Sequence, residues 1–314
     1  MRICSLLPGA TEIVCALGLA EQLVAVTHEC DYPPAVRHLP VVTRSLLEGT
    51  GGSRDIDQHV TAAAHDGSSL YGLDQELLAR LDPDLVLTQE LCQVCALSYA
   101  QVTSAVGQLS GPRTVLSLSP RRLEDVLEAI VAVGNATGVT ELAQALVDRL
   151  RQRTAAVAAQ ARRATITPRV FAMEWLEPPY TAGHWVPEMI RLAGGESVGA
   201  RDGAFSEPIA WDAVIEMDPH VVIFMPCSFD LPRAVEELAR VPFPSTWTEI
   251  AAVREGRVAV VDSSAYFSRS GPRLIDGLEI LGEILHPELF PRRAAADAWC
   301  LVDGLRLGGQ EGGR

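Results

Sequence analysis

Two cysteines at the spacing Cys92-x-x-Cys95 carry the most pointed chemistry in the chain. Thiolates so placed chelate one soft metal or cycle between dithiol and disulfide. The run Thr27-His28-Glu29-Cys30-Asp31-Tyr32 adds His28 and Cys30, and tetrahedral zinc or iron sites take three or four such N/S donors. Around that set Glu29, Glu90 and His184 are candidate acids or bases of a metalloenzyme. The alternative is packing, because free cysteines behave as small apolar side chains, and Cys4, Cys15 and Cys300 read as packing residues. Cys227, directly behind an apolar run, stands between the two readings.

A second group of residues suits a ligand. Trp175, Tyr180, Trp185 and Trp211 concentrate in the later half of a chain whose aromatic content is 5%. Flat rings along a cleft fit a large planar or apolar ligand, whereas Trp211, at a helix start, divides evenly between cleft and core. Pro178-Pro179 stiffens the backbone beside Tyr180, and His184 follows in the same stretch. In Tyr266-Phe267-Ser268-Arg269-Ser270-Gly271-Pro272-Arg273 two guanidinium groups precede a helix, which favours either an anionic ligand group or a plain capping segment.

The elements that position these residues alternate. Short β-branched runs and amphipathic stretches succeed one another through residue 118, the βα pattern of a mainly parallel sheet. Residues 3–7, 23–26, 85–88 and 114–118 read as strands; 11–17, a stretch from 54, and one capped by Asp74 read as helices. Residues 123–164 are helical with an interruption at 134–138, and 141–164, free of Gly and Pro, spans ~36 Å. That length makes it a strut between two lobes. Alternation resumes with strands at 170–173, 221–225 and 258–261, a helix at 187–193, and a closing helix at 272–285; the tail after Pro291 reads as frayed. In open α/β sheets ligands sit beyond the carboxyl ends of strands, which is where Cys30, Cys92, Cys95, Trp175 and Cys227 fall.

Composition limits the function classes. The 314 residues are 48% apolar and 21% charged, enough for a full core, with no window long enough to span a membrane. A formal charge of −14 without a basic cluster argues against nucleic acid as partner. No Walker loop, G-x-G-x-x-G after a strand, or G-x-S-x-G elbow is present, which disfavours nucleotide and hydrolase chemistry. The first residues, broken by Pro8, lack a secretory signal pattern, so a cytoplasmic location with reduced cysteines is expected.

These residues resemble class III solute-binding proteins, in particular the branch that binds cobalamin. The landmarks are Ser5-Leu6-Leu7-Pro8-Gly9-Ala10-Thr11-Glu12, Asp31-Tyr32-Pro33-Pro34, Leu81-Asp82-Pro83-Asp84-Leu85-Val86, Pro178-Pro179-Tyr180-Thr181-Ala182-Gly183 and Ser270-Gly271-Pro272-Arg273. The resemblance implies two Rossmann-like α/β lobes joined by a long rigid helix, with the ligand cleft between them. It places the chain in a cytosolic subgroup without a signal peptide. The divisions expected are 1–120, 121–165 for the bridge, 166–270, 271–290 for the closing helix, and 291–314 for the tail.

The resulting expectation is a binding protein for cobalamin, another corrinoid or a similar metal chelate, with the question of an enzymatic activity left open. Pro8, Tyr32, Trp175, Tyr180, His184, Trp185, Phe267 and Arg269 are its candidate ligand contacts. The alternatives are a zinc or iron metalloprotein at His28, Cys30, Cys92 and Cys95, and a thiol sensor at Cys92 and Cys95.

Overall fold

The computed structural model describes residues 1–46, 51–66, 70–89, 99–109, 111–304 and 307. Strand β1 (Ile3–Ser5) is fully buried, and Pro8 opens helix α1 (Pro8–Ala16), where a missing amide hydrogen costs nothing. The sequence pattern places the helix start at Thr11; Pro8 at the first position moves it earlier. Then come β2 (Leu23–Ala25), β3 (Thr43–Ser45), α2 (Ser53–Asp66), β4 (Tyr71–Leu73), α3 (Gln75–Leu81), β5 (Leu85–Thr88), α4 (Tyr99–Val106) and β6 (Thr114–Ser117). Four of these strands form a parallel sheet in the order β2-β1-β5-β6, while β3 and β4 pair antiparallel beside it. The Asp74 carboxylate accepts the Leu77 amide at 2.8 Å, and left-handed Asp82 ends α3, as the cap and the Asp82-Pro83 pair foretell.

The bridge consists of α5 (Leu123–Thr137) and α6 (Thr140–Ala161). Gly134 does not break α5. A Cβ there would lie 2.4 Å from the Ala143 Cβ, so this glycine lets α6 pack close; the break comes at Gly138, with φ +76°. The 22 residues of α6 run ~33 Å, and Arg153 ties that helix to Asp276 and Glu279 of the closing helix at 2.5 and 2.8 Å.

The second lobe holds β7 (Arg169–Leu176), β8 (Pro179–Thr181), α7 (Val186–Leu192), β9 (Glu196–Ser197), α8 (Trp211–Met217), β10 (Val221–Phe224), α9 (Leu231–Leu238), α10 (Ala251–Arg254), β11 (Val258–Val261), α11 (Ser263–Tyr266), α12 (Leu274–Leu285) and β12 (Trp299–Leu301). Its sheet runs β12-β11-β10-β7-β8, with β9 against β7; β7, β10 and β11 are parallel. The tail is not frayed where it is described. Residues 299–301 form an antiparallel edge strand on β11, anchored by Trp299, whose indole N–H donates to Glu283 at 3.0 Å. The sequence pattern misses this strand because it is only three residues long.

One apolar cluster runs through both lobes and the bridge, joining Ile3 and Ile13 to Ile130 and Leu146 and on to Met189 and Leu278. Separate clusters fill the outer faces, around Phe224 and Trp247 in the second lobe and around Val86 and Val102 in the first. The lobes therefore share a core at the hinge and part only at the cleft. Their backbones come close at Gly9, where a Cβ would lie 2.8 Å from the Ser270 carbonyl oxygen and 2.9 Å from its carbon. Gly9→Ala is expected to cost about 1–3 kcal/mol in denaturant unfolding, because backbone on both sides must move. An unchanged unfolding midpoint would contradict this contact.

Candidate functional site

Two adjoining cavities occupy the cleft. The smaller, of about 400 Å³, lies between Pro8, His28 and Asp31 of the first lobe and Cys227, Ser268 and Arg269 of the second. The larger, of about 910 Å³, is walled by Tyr71 on one side and Trp175, Tyr180 and Phe229 on the other. Glu29, Tyr71, Cys227, Ser228 and Arg233 face both, so the two form one space. Its walls include the residues after β1, β2, β5 and β10, where the open-sheet rule puts ligands, together with Glu174 and Trp175 at the carboxyl end of β7.

The floor is an ion-pair latch across the lobes. Glu12, 4% exposed on α1, takes Arg273 in a two-point contact at 2.6 and 3.0 Å, with Arg269 at 3.6 Å. Arg269 also pairs with Asp31 and donates to the Glu29 carbonyl at 3.2 Å and to Ser264 at 3.0 Å. Arg273 lies 4.0 Å over the Tyr32 ring. Burial pushes the Glu12 carboxyl up, against the hydrogen bond and charge of Arg273 and the charge of Arg269. At Asp31 burial is outweighed by the Arg269 hydrogen bond and the charges of Arg269, Arg273 and Arg37, and the carboxyl is held below its ordinary range.

A helix from the first lobe covers the larger cavity. The Ser53 amide, at the N-terminus of α2, donates to the buried Glu237 carboxylate, and the Trp175 indole N–H donates to the Ser53 carbonyl at 3.2 Å. A carboxylate there complements the helix dipole. Arg54 pairs with Glu177, Tyr180 hydrogen-bonds Asp57, and Ile56 packs on the core of the second lobe. Gly52, just before α2, leaves room for the Glu237 carboxylate, since a Cβ there would lie 2.9 Å from its Oε1.

Four of the eight residues expected to touch ligand line the cavities: Pro8, Trp175, Tyr180 and Arg269. Arg269 does so while already engaged by Asp31. Tyr32 is 44% exposed under Arg273, outside both cavities. Trp185 and Phe267 are core residues, and the Trp185 indole donates to the Phe267 carbonyl at 2.8 Å. His184 has a left-handed φ of +54°, and its ring lies 5.6 Å from Trp185 and 5.5 Å from Phe205, away from both cavities. Burial, partly offset by the Glu174 charge and aided by Arg121, lowers its pKa. Trp211 takes its core alternative, against Phe243 and Trp247 at 5.1 and 5.7 Å.

The four metal-site candidates divide. Cys92 and Cys95, with Glu90, lie outside the described residues. His28 Nδ1 engages Thr43 Oγ1 at 2.7 Å, and the Cys30 sulfur sits 3.1 Å from Thr11 Oγ1 and 3.3 Å from Thr27 Oγ1. Burial raises the Cys30 thiol despite those hydroxyls. Among the described residues no three His, Cys, Asp or Glu side chains converge as a metal set. Cys227 does face the cleft, its thiol pushed up to about 12 by burial and by the Glu174 charge, against hydrogen bonds from Ser268 and Ser228.

Sequence reasoning missed Arg233, Tyr71 and Asp57 as cavity residues. Arg233 was within reach: Asp230-Leu231-Pro232 is a cap followed by Pro, announcing a helix just beyond β10. Tyr71 and Asp57 give no local signal, since only folding of the β3–β4 pair and α2 brings them to the cleft.

The family model described as periplasmic binding protein matches residues 3–265 of the chain. An uncharacterized ABC transporter substrate-binding lipoprotein, YvrC of Bacillus subtilis, is 27% identical over 296 residues, covering 92% of this chain and 81% of that protein. A vitamin B12-binding protein of Vibrio cholerae is 24% identical over 289 residues, covering 88% of this chain and 86% of that protein. A periplasmic heme binding protein from Pseudomonas aeruginosa superposes with a TM-score of 0.70 at 23% identity, over 95% of this chain and 96% of that one, and so shares the two-lobed fold.

Two outcomes follow from the geometry. A carboxyl whose pKa is lowered on folding adds stability above its unfolded value, about 3.9 for Asp, and loses it as pH falls through the folded one. Asp31→Asn should therefore cost up to ~1 kcal/mol at neutral pH, the pair being half exposed, with the difference from wild type vanishing in strong acid; a difference independent of pH would refute the pairing. Cys227 should resist iodoacetamide at neutral pH, as read by peptide mapping against the denatured chain. Rapid alkylation of the folded protein would count against the raised thiol.

Proposed function

The chain belongs to the periplasmic binding protein family, and from that membership we propose that it binds a corrinoid or a similar metal chelate in the cleft between its lobes. The observation that carries this reading is the joined cavity pair, with Trp175, Tyr180 and Phe229 facing Tyr71 across the larger space. Small-molecule sites commonly occupy roughly 300–1,000 Å³ and are lined by rings with a few polar groups, and about 910 Å³ stands at the upper end of that range. Vitamin B12 and heme, the ligands in the names of two similar proteins, are both metal-bearing macrocycles with broad flat faces. Aromatic walls offer such faces contact area at little cost in side-chain entropy.

The reading is of a binder that holds and releases its ligand unchanged. The polar groups of the smaller cavity, His28, Thr43 and Ser268 among them, then hydrogen-bond the ligand's edge, while the rings of the larger cavity cover its face. The resemblance to the cobalamin-binding branch, carried by the landmarks at Pro8-Gly9 and Pro178-Pro179-Tyr180, favours the corrinoid over other chelates.

Titration with cyanocobalamin should shift the corrin absorption bands and saturate. Trp175→Leu should weaken binding about tenfold by removing a ring face from the larger cavity. No spectral change and no heat up to high micromolar cyanocobalamin and heme would overturn the proposal.

A further inference from the structure

Charged groups crowd the cleft, and nearly all of them are spoken for. Among the described residues three guanidinium groups face the cavities: Arg233, Arg240 and Arg269. Arg269 is held by Asp31, and Arg240 by Glu236 and Glu237. Arg233 differs. Its backbone amide is capped by Asp230 at 2.9 Å, but among the described residues its guanidinium meets neither a carboxylate nor any other hydrogen-bond acceptor. The guanidinium carbon lies 3.8 Å from the centre of the buried Phe229 ring, which fixes the plane of the group, and Arg233 faces both cavities where they join. Stacking on a ring leaves the N–H edge of a guanidinium available, and that edge suits oxyanions.

The other charges set the complement. Glu29, Asp57, Glu174 and Glu236 also line the larger cavity. A ligand bearing several carboxylates would bring one toward an Arg233 oxyanion site and others toward these acids, at a repulsive cost. A ligand rich in neutral amide donors with a single anion meets acceptors almost everywhere and one cation at the junction.

Resting on the chelate-binding reading above, we propose that Arg233 selects the ligand by binding its one anionic group on an otherwise uncharged, amide-rich macrocycle. The residue is a specificity determinant: it discriminates among chelates that share the same flat core. Within that chemistry cyanocobalamin carries a single phosphodiester, dicyanocobinamide keeps the corrin and its amides without it, and heme carries two carboxylates.

The test is a cycle of two proteins and these three compounds. Wild type and Arg233→Met, which keeps an apolar cover on Phe229 at a solvent-facing helix position, are titrated at low and high salt. Arg233→Met should lose about tenfold in affinity for cyanocobalamin, stay within about twofold for dicyanocobinamide, and lose the salt dependence that wild type shows with cyanocobalamin. Wild-type heme binding should be weaker than cyanocobalamin binding. Equal losses on both corrinoids, no loss on either, or a loss confined to heme would overturn the role of Arg233 and leave the corrinoid reading standing. A wild-type protein that binds no corrinoid would bring down both.

Discussion

A carboxylate buried at the hinge constrains the rest of the molecule. Glu12 on α1 has almost no solvent, and removing such a group from water costs several kcal/mol unless partners replace it. Its partners come from the opposite lobe: Arg273 by a two-point contact and Arg269 alongside. To bring them there, the Ser270-Gly271 turn must lie against Gly9 with no side chain between. A buried ion pair is a poor source of net stability against an apolar alternative, but a good source of registration, since its geometry admits few arrangements. Here it registers α1 against the start of α12, and so sets how far apart the cleft walls stand.

From that registration the binding space follows. The shared core around Ile130, Leu146 and Leu278 holds the lobes at one side, and the latch holds them at the floor. The strand ends diverge beyond it, leaving a polar pocket near the latch and a ring-walled one farther out. Helix α2, though it comes early in the chain, completes the outer wall by reaching Glu237, Trp175 and Glu177 of the second lobe. Arg269 illustrates the hierarchy: sequence logic offers it to a ligand, and the fold first commits it to Asp31. Arg233, which among the described residues has no such commitment, is the cation that the proposed ligand contact falls to.

Much of the fold was legible because its signals are local. The strands 85–88 and 258–261, the Asp74 cap and the two-lobe plan with a helical bridge all follow from burial runs, capping chemistry and length. Where reading failed, a tertiary contact overruled a local rule. Gly134 reads as a helix breaker and serves as a packing notch for Ala143; residues 299–301 read as tail and form an edge strand, because Trp299 is secured by Glu283.

The site divides along the same line. The residue types determined that chemistry gathers at the strand ends and that rings and guanidinium groups are present there, and with the family resemblance they put Pro8, Trp175, Tyr180 and Arg269 at the cleft. Whether a ring faces the cleft or the core was decided only by packing, which buried Trp185 and Phe267 and turned Trp211 onto Trp247. The decisive pairings join residues very far apart in sequence, Arg269 with Asp31 across 238 positions and Ser53 with Glu237 across 184. Periodicity and capping act over a few residues, so no local pattern encodes such a pair; it exists only once the shared core has brought the two lobes together.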